Sequence, residues 1–120
     1  LYDLAGKTPD AVRSELRDAD IIYVTGGNTY YLLEQMNACA FKPILTDRLQ
    51  HDVLYIGSSA GSVVACPQID YIRDLDDPQD AALTDYTGLH LVDMHIMPHI
   101  DHAGFKDKIE NLLQTTDVQP

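Results

Sequence analysis

Apolar and polar positions along the chain switch repeatedly between a strand pattern and a helix pattern. Residues 21–24 and 53–56 are unbroken apolar runs rich in β-branched side chains, as in parallel strands that are covered on both faces. Apolar side chains at helical spacing predict helices over about 31–36 and 43–49. Strands therefore alternate with helices, which is typical of an α/β fold built on a parallel sheet.

Other segments carry weaker signals. Thr8-Pro9-Asp10 combines a capping hydroxyl with a proline at the first helical position, and it predicts a helix that ends near Ala19. The same kinds of signal predict an acidic loop over residues 67–88, a third buried strand over 91–97 and a last helix over 103–114. Residues 1–4 are a further strand candidate.

A glycine-rich turn follows each of the two clearest strands. Thr25-Gly26-Gly27-Asn28 follows the first strand, and Gly57-Ser58-Ser59-Ala60-Gly61 follows the second. The second turn has the G-x-S-x-G spacing of a nucleophile elbow, in which glycines allow a sharp strand-to-helix turn and the central hydroxyl, here Ser59, projects above the sheet. The alternative is a glycine-rich turn that only packs or binds an anion.

Three loops are expected to meet at one edge of the sheet, because the carboxyl ends of parallel strands share an edge where ligands bind. Gly27 follows the first strand, Ser59 the second and His99 the predicted third. A serine hydroxyl needs a base within hydrogen-bond reach to act as a nucleophile. His99 is the candidate base, whereas His95, inside the predicted strand, is expected to be a partly buried sheet residue.

The remaining parts of such a site are less well specified. The acid that orients the histidine is expected between Ser59 and His99, where the sequence does not choose among the aspartates: Asp70, Asp74, Asp76, Asp77, Asp80 and Asp85. The backbone N–H groups of Gly27 and Ala60 are the natural donors of an oxyanion hole. Asn28 either caps the following helix or lines the pocket and binds substrate.

Composition limits the class of protein. A chain of 120 residues that is 45% hydrophobic is expected to form one globular domain over residues 1–120. Its net charge of -11 argues against nucleic acid or an anionic membrane as a partner. Cys39 and Cys66 are too few for a disulfide framework and are expected to be buried thiols. With neither a leader nor a membrane span in view, we expect a cytoplasmic protein.

A metal site is an alternative that the sequence raises only weakly. Histidines and an aspartate lie close together near the predicted third strand, but strand geometry divides them between two faces: His90, Asp93, His95, His99 and His102. We therefore expect neither a metal nor a cofactor. A cysteine nucleophile is also disfavoured, because the elbow carries serine and Cys66 lies two turns along the helix.

Three motifs in order, IIYVTGGNTYYLL, YIGSSAGSVVA and MPHID, resemble the peptidase E or S51 family of serine peptidases. The resemblance runs from about residue 1 to 102. It implies a class I glutamine amidotransferase-like α/β fold, which is a flavodoxin-like three-layer sandwich. In this chain we expect that fold to be truncated. It also implies hydrolysis of short peptides, including dipeptides with an N-terminal aspartate, as well as a relation to cyanophycinases.

Carried over by motif, the resemblance makes Ser59 the nucleophile, His99 the base, and Gly27 and Ala60 the oxyanion donors. For the acid, it narrows the choice to three residues of RDLDDP. Asp76 is favoured because its position two before Pro78 resembles the D-x-P of aspartyl dipeptidases; Asp74 and Asp77 match other family spacings and remain rivals.

The sequence also departs from the family. Family members are nearly twice as long, so we expect a fragment that lacks the N-terminal part, leaves apolar sheet surface uncovered and favours a homo-oligomer. No arginine after His99 is placed to bind an aspartyl side chain. The rival interpretations are a serine hydrolase of esters that uses the same residues, and an inactive fragment or binding module.

Overall fold

The computed structural model of this protein describes residues 1–73, 75–78 and 81–99. Four sequence predictions fall outside these ranges: Asp74 as a rival acid, Asp80, His102 and the last helix over 103–114.

Helices and strands alternate through the first half of the described chain. The strands are β1 (Ile21–Val24) and β2 (Leu54–Gly57), and the helices are α1 (Pro9–Leu16), α2 (Thr29–Ala38), α3 (Phe41–Leu49) and α4 (Ala60–Val63), with a 3-10 turn at Asp70–Ile72. The predicted strands and helices of this half are confirmed. Thr8 caps α1 by accepting a hydrogen bond from the Ala11 amide, but the helix ends at Leu16 rather than near Ala19.

The sheet is parallel and places β1 beside β2, as the α/β prediction requires. Ile22 and Val24 of β1 are buried against the helices. The opposite face carries the alternate side chains, and there the described residues leave Ile21, Tyr23 and Leu54 more than half exposed, at 58%, 57% and 56%. Parallel sheets are normally covered on both faces. The self-association expected from uncovered apolar surface stays a prediction.

One hydrophobic core lies between the buried face of the sheet and the helices. Its largest fully buried side chains include Tyr30, Leu33 and Met36 of α2, and Leu45 of α3. Cys39 and Cys66 are both buried free thiols, as predicted. Within the described ranges, no helix is long and apolar enough to span a membrane.

The prediction of a third strand over 91–97 is wrong. The segment is irregular, because its backbone meets the carbonyl groups that follow α4 instead of a sheet partner. The Leu89 amide donates to Val64, at 2.6 Å, and the Leu91 amide donates to Ala65, at 2.8 Å. Residues 88–99, named the His99 segment below, therefore cross over the end of α4. His95 is partly buried, but outside any sheet.

The strand candidate at residues 1–4 is wrong as well. This stretch has no strand structure, and the Lys7 amide closes a turn by donating to the Leu4 carbonyl, at 3.1 Å.

Candidate active site

Ser59 occupies the turn between β2 and α4 in a backbone conformation that few residues other than glycine adopt. Its φ is 54° and its ψ is -120°. A non-glycine residue with this combination of φ and ψ lies outside the allowed left-handed region and is strained, and such strain is characteristic of functional sites. A sharp strand-to-helix turn with a strained central residue is the geometry that a nucleophile elbow requires, and the Ser59 turn is called the elbow below.

The glycines of the G-x-S-x-G motif permit close packing around this turn. A Cβ atom at Gly57 would lie 2.5 Å from the Gly61 carbonyl oxygen, and one at Gly61 would lie 2.0 Å from the Val24 carbonyl oxygen. Gly26 packs on the serine itself, since a Cβ there would lie 3.3 Å from the Ser59 Cβ. The two glycine-rich turns are therefore in contact.

Tyr55 supports the elbow from within β2. Its hydroxyl donates to the Gly61 carbonyl at 2.6 Å, which ties the first turn of α4 to the strand that precedes it. Burial raises the pKa of Tyr55 well above its ordinary value, because the phenolate would lose hydration there. The hydroxyl is therefore a neutral donor at physiological pH.

His99 lies beside Ser59. The distance from Ser59 Oγ to His99 Nε2 is 2.8 Å, which is a hydrogen bond in the range required of a nucleophile and its base. His99 also has a positive φ, 62°, and it follows Pro98, whose ring fixes its own backbone. The candidate base is thus placed by an irregular segment rather than by the end of a third strand.

Ser59 and His99 open into a cavity of about 220 Å³. Its walls are mainly apolar. Of the described side chains that line it, that of Asp76 carries a carboxylate. The lining residues are Gly27, Thr29, Ser59, Ala60, Val63, Ile72, Leu75, Asp76, Pro98 and His99. The five positions that the resemblance assigned to nucleophile, base, favoured acid and oxyanion donors all lie in this set.

Asp76 is held by the start of α2. Its Oδ2 accepts hydrogen bonds from the Thr29 amide, at 2.9 Å, and from the Thr29 hydroxyl, at 2.5 Å. The carboxylate thereby satisfies one of the unpaired N–H groups at the helix N-terminus, where negative charge is favoured. Asp77 is placed differently, because its backbone carbonyl accepts from the Asn28 side-chain amide at 3.2 Å.

Gly27 and Ala60, the candidate oxyanion donors, both line the cavity. Gly27 has a φ of +117°, a conformation in which a side chain is strained, and a Cβ there would meet nothing within 4 Å. Ala60 is the first residue of α4, so the helix itself leaves its amide unpaired.

Asn28 takes the capping role, one of the two that its sequence position left open. Its side-chain oxygen accepts from the Tyr31 amide at 3.0 Å, which caps α2. A role in substrate binding stays a prediction.

Thr29 is the residue of this site that the sequence reasoning missed. It is 1% exposed, and both its donors, the backbone amide and the side-chain hydroxyl, bind Asp76. The available signal was a threonine directly after a helix cap, which is an ordinary pattern and did not mark it out.

The other histidines with described positions have partners elsewhere. His51 Nδ1 lies 2.8 Å from the Asp47 carbonyl, and His90 pairs with Asp93 at 3.3 Å on the surface. His95 contacts the Gln68 side chain at 3.0 Å. Among the residues with described positions, no three histidine, cysteine or acidic side chains gather as a metal site would require.

Comparison with known proteins gives one consistent answer. The model of peptidase family S51 matches residues 2–120. An uncharacterized peptidase of Listeria innocua is 40% identical over 105 residues, which are 87% of this chain and 50% of that protein. Peptidase E of Escherichia coli is 37% identical over 90 residues, which are 73% of this chain and 37% of that protein.

A solved structure from Listeria monocytogenes, described as a candidate peptidase E, is similar in fold. It superposes with a TM-score of 0.93 at 34% sequence identity, over 99% of this chain and 59% of that one. The α/β prediction is therefore confirmed. The chain spans about half the length of the first curated relatives it matches, at 50% and 55%. By its match over nearly the whole sequence, the chain belongs to peptidase family S51.

Proposed function

We propose that this chain carries the catalytic residues of a serine peptidase that hydrolyses short peptides through an acyl-enzyme. The observation that carries the proposal is the 2.8 Å hydrogen bond from Ser59 Oγ to His99 Nε2, at a strained turn that opens into a cavity. Membership of peptidase family S51 supports a peptide as the substrate class.

In the proposed reaction, His99 removes the Ser59 proton as the oxygen attacks the carbonyl carbon of the substrate. The negative charge then develops on the carbonyl oxygen, which the amides of Gly27 and Ala60 stabilise by hydrogen bonds. His99 gives the proton to the leaving amine, and an ester of Ser59 with the acyl part of the substrate remains. Water attacks this ester with His99 again as the base.

We propose Asp76 as the acid that orients His99. Its support is its position in the same cavity wall and its firm anchorage by Thr29. A carboxylate has about four acceptor positions, so the bonds from Thr29 to one oxygen leave capacity for an imidazole N–H. Asp74 and Asp77 remain the rivals.

The substrate is proposed only as a short peptide. The described residues that line the cavity include no lysine or arginine, and so offer no cation to an aspartyl side chain. An N-terminal aspartate as the preferred residue therefore rests on the family alone. A cytoplasmic location is part of the proposal too, and the two free thiols agree with a reducing compartment.

The first test is covalent labelling of the purified protein with a fluorophosphonate, read by intact mass and peptide mapping. We expect one adduct on Ser59, and no adduct in Ser59→Ala or His99→Ala. Ser58→Ala is the matched control, because it removes the adjacent hydroxyl, which accepts a bond from Tyr23 instead of meeting His99. It should label like the parent.

The same assay ranks the candidate acids. Asp76→Asn should slow labelling by about 100-fold or more, and Asp74→Asn and Asp77→Asn by less than about tenfold. Turnover of dipeptides against simple esters then separates a peptidase from an esterase. A folded parent that is never labelled would contradict the proposal and favour an inactive fragment or binding module.

A further inference from the structure

The His99 segment is held beside Ser59 by two side chains that the catalytic scheme does not use. Tyr71 Oη donates to the Ile96 carbonyl at 2.5 Å, and the Ile96 amide donates to Cys66 Sγ at 3.3 Å. Both polar groups of the Ile96 residue are thereby fixed. The two side chains also contact each other, with Cys66 Sγ 3.6 Å from Tyr71 Oη.

This arrangement, named the Ile96 clamp, is itself firmly placed. Cys66 is 0% exposed and Tyr71 is 5% exposed, in the stretch that leads from α4 into the 3-10 turn. The edge of the Tyr71 ring also meets the His95 ring, with centroids 5.1 Å apart and planes at 79°. Tyr71 thus contacts the segment at two neighbouring residues.

Little freedom remains between the clamp and the base. Only Met97 and Pro98 separate Ile96 from His99; Met97 is 7% exposed in the core, and the proline ring restricts its own φ. A regular strand would have aimed the histidine by its ladder of backbone hydrogen bonds. Because this segment is not a strand, the clamp supplies the two backbone bonds that such a ladder would otherwise provide.

We propose that Tyr71 and Cys66 are positioning residues, which set the distance from His99 Nε2 to Ser59 Oγ by fixing Ile96. The inference rests on the proposed function, in which this hydrogen bond activates the serine. It predicts that loss of the clamp slows the covalent step while the reversible binding of an inhibitor in the cavity is unchanged.

The experiment measures fluorophosphonate labelling of Ser59 at several inhibitor concentrations, which separates the maximal rate constant from the apparent binding constant. Tyr71→Phe removes only the hydroxyl and keeps the ring against His95. We expect the maximal rate constant to fall about tenfold with the binding constant within about twofold, since misplaced catalytic groups lose rate.

Tyr30→Phe is the matched control. Tyr30 is also buried, and its hydroxyl also reaches a backbone carbonyl, that of Ile69 at 3.4 Å, but it does not touch the His99 segment in the described contacts. It should lower the urea midpoint by a similar amount and leave labelling unchanged. Equal loss of labelling in both variants would mean a purely structural effect and would overturn the proposal.

Cys66 provides a rescue test. Cys66→Ser keeps an acceptor for the Ile96 amide, whereas Cys66→Ala removes it. We expect the serine variant to label within about threefold of the parent and the alanine variant about tenfold more slowly. Labelling of both variants at the parent rate would contradict a role for Cys66.

A structural measurement keeps the test informative even if Ser59 proves unreactive. The side-chain nitrogen resonances of His99, observed by NMR, report whether Nε2 is hydrogen bonded. They should change in Tyr71→Phe and not in Tyr30→Phe. If the parent is not labelled but the His99 resonances still change in Tyr71→Phe, only the proposed function is refuted. If the His99 resonances do not change in Tyr71→Phe, the positioning role of the clamp is refuted.

Discussion

Ser59 and His99, the proposed nucleophile and its proposed base, are brought to the same cavity by two different kinds of structure. Ser59 lies between a strand and a helix, at a turn whose glycines allow direct backbone packing. His99 lies at the end of an irregular segment, which is held by backbone bonds to the end of α4 and by the Ile96 clamp. Packing fixes the first residue, and individual polar contacts fix the second.

This difference indicates how each region fails. Close-packed backbone cannot relax around an added atom, so damage at the elbow spreads to the sheet and α4. A segment that is fastened by a few hydrogen bonds can detach locally and leave the rest of the fold in place. Substitutions that add the same single carbon to each region make this contrast measurable.

The largest expected effect is that of Gly61→Ala. Its Cβ would lie 2.0 Å from the Val24 carbonyl oxygen, so α4 must move away from β1. We expect the free energy of unfolding to fall by about 3 kcal/mol, the upper end of the usual cost of overpacking. Urea denaturation followed by circular dichroism measures it.

Gly88→Ala is the matched substitution in the His99 segment. Its Cβ would lie 2.1 Å from the Cys66 carbonyl oxygen, a clash of nearly the same size. Because the segment can detach, we expect a smaller loss of about 1.5 kcal/mol, together with faster amide exchange confined to residues 88–99. Equal destabilisation by the two variants, with exchange spread over both strands, would remove the contrast.

The same contrast decided what the sequence could predict. β1, β2 and the glycine-rich turn at Ser59 were predictable, because unbroken apolar runs followed by glycines specify strand and turn locally. The Ser59–His99 contact was expected from a sheet edge, yet it is achieved without a third strand. Residues 91–97 have the composition of a strand, but backbone amides at the start of this stretch donate to the Ala65 carbonyl, which lies far away in the sequence. No local pattern reveals such a partner.

The acid shows a second limit of sequence reasoning. Seven aspartates lie between Ser59 and His99, six of them in the predicted loop over 67–88, and spacing alone does not choose among those six. Among the aspartates with described positions, Asp76 is distinguished by the cavity and by the buried Thr29, both of which are tertiary facts. A local helix cap was predictable at Thr8, whereas the pairing of Thr29 with a carboxylate 47 positions away was not.

An effect between those of the two glycine variants is expected at the Thr29–Asp76 contact, which, like the His99 segment, depends on polar bonds rather than packing. Thr29→Val keeps the shape of the side chain and removes the hydroxyl that donates to Asp76. We expect the free energy of unfolding to fall by about 2 kcal/mol, as for other hydrogen bonds to charged groups. Thermal and urea unfolding both measure it.

Thr29→Ser is the control for this variant. It retains the donor and removes only a methyl group, so most of the stability should return. If the serine variant were as unstable as the valine variant, the loss of stability would come from the packing of the methyl group. The hydrogen bond from the hydroxyl to Asp76 would then not be what stabilises the fold.

The smallest effect is a dependence of stability on alkaline pH, which the two regions share. Each region is held by the hydroxyl of a tyrosine: Tyr55 donates to Gly61 at the elbow, and Tyr71 donates to Ile96 in the clamp. Burial raises the pKa of Tyr55 and of Tyr71 in the folded state. The unfolded chain ionises first, so the resulting stability is complete below about pH 10 and is lost as the pH rises further.

Each of these tyrosines should therefore steepen the loss of stability above about pH 10, by at most about 1.4 kcal/mol per pH unit. Tyr55→Phe removes the group that titrates at the elbow and should flatten the profile of unfolding free energy against pH, measured by urea denaturation from neutral to alkaline buffers. Tyr71→Phe should flatten the same profile equally. In the parent protein, amide exchange at high pH should rise first in residues 88–99. Exchange that rises first around Ser59 would reverse the comparison, since the elbow would then be the more weakly held region.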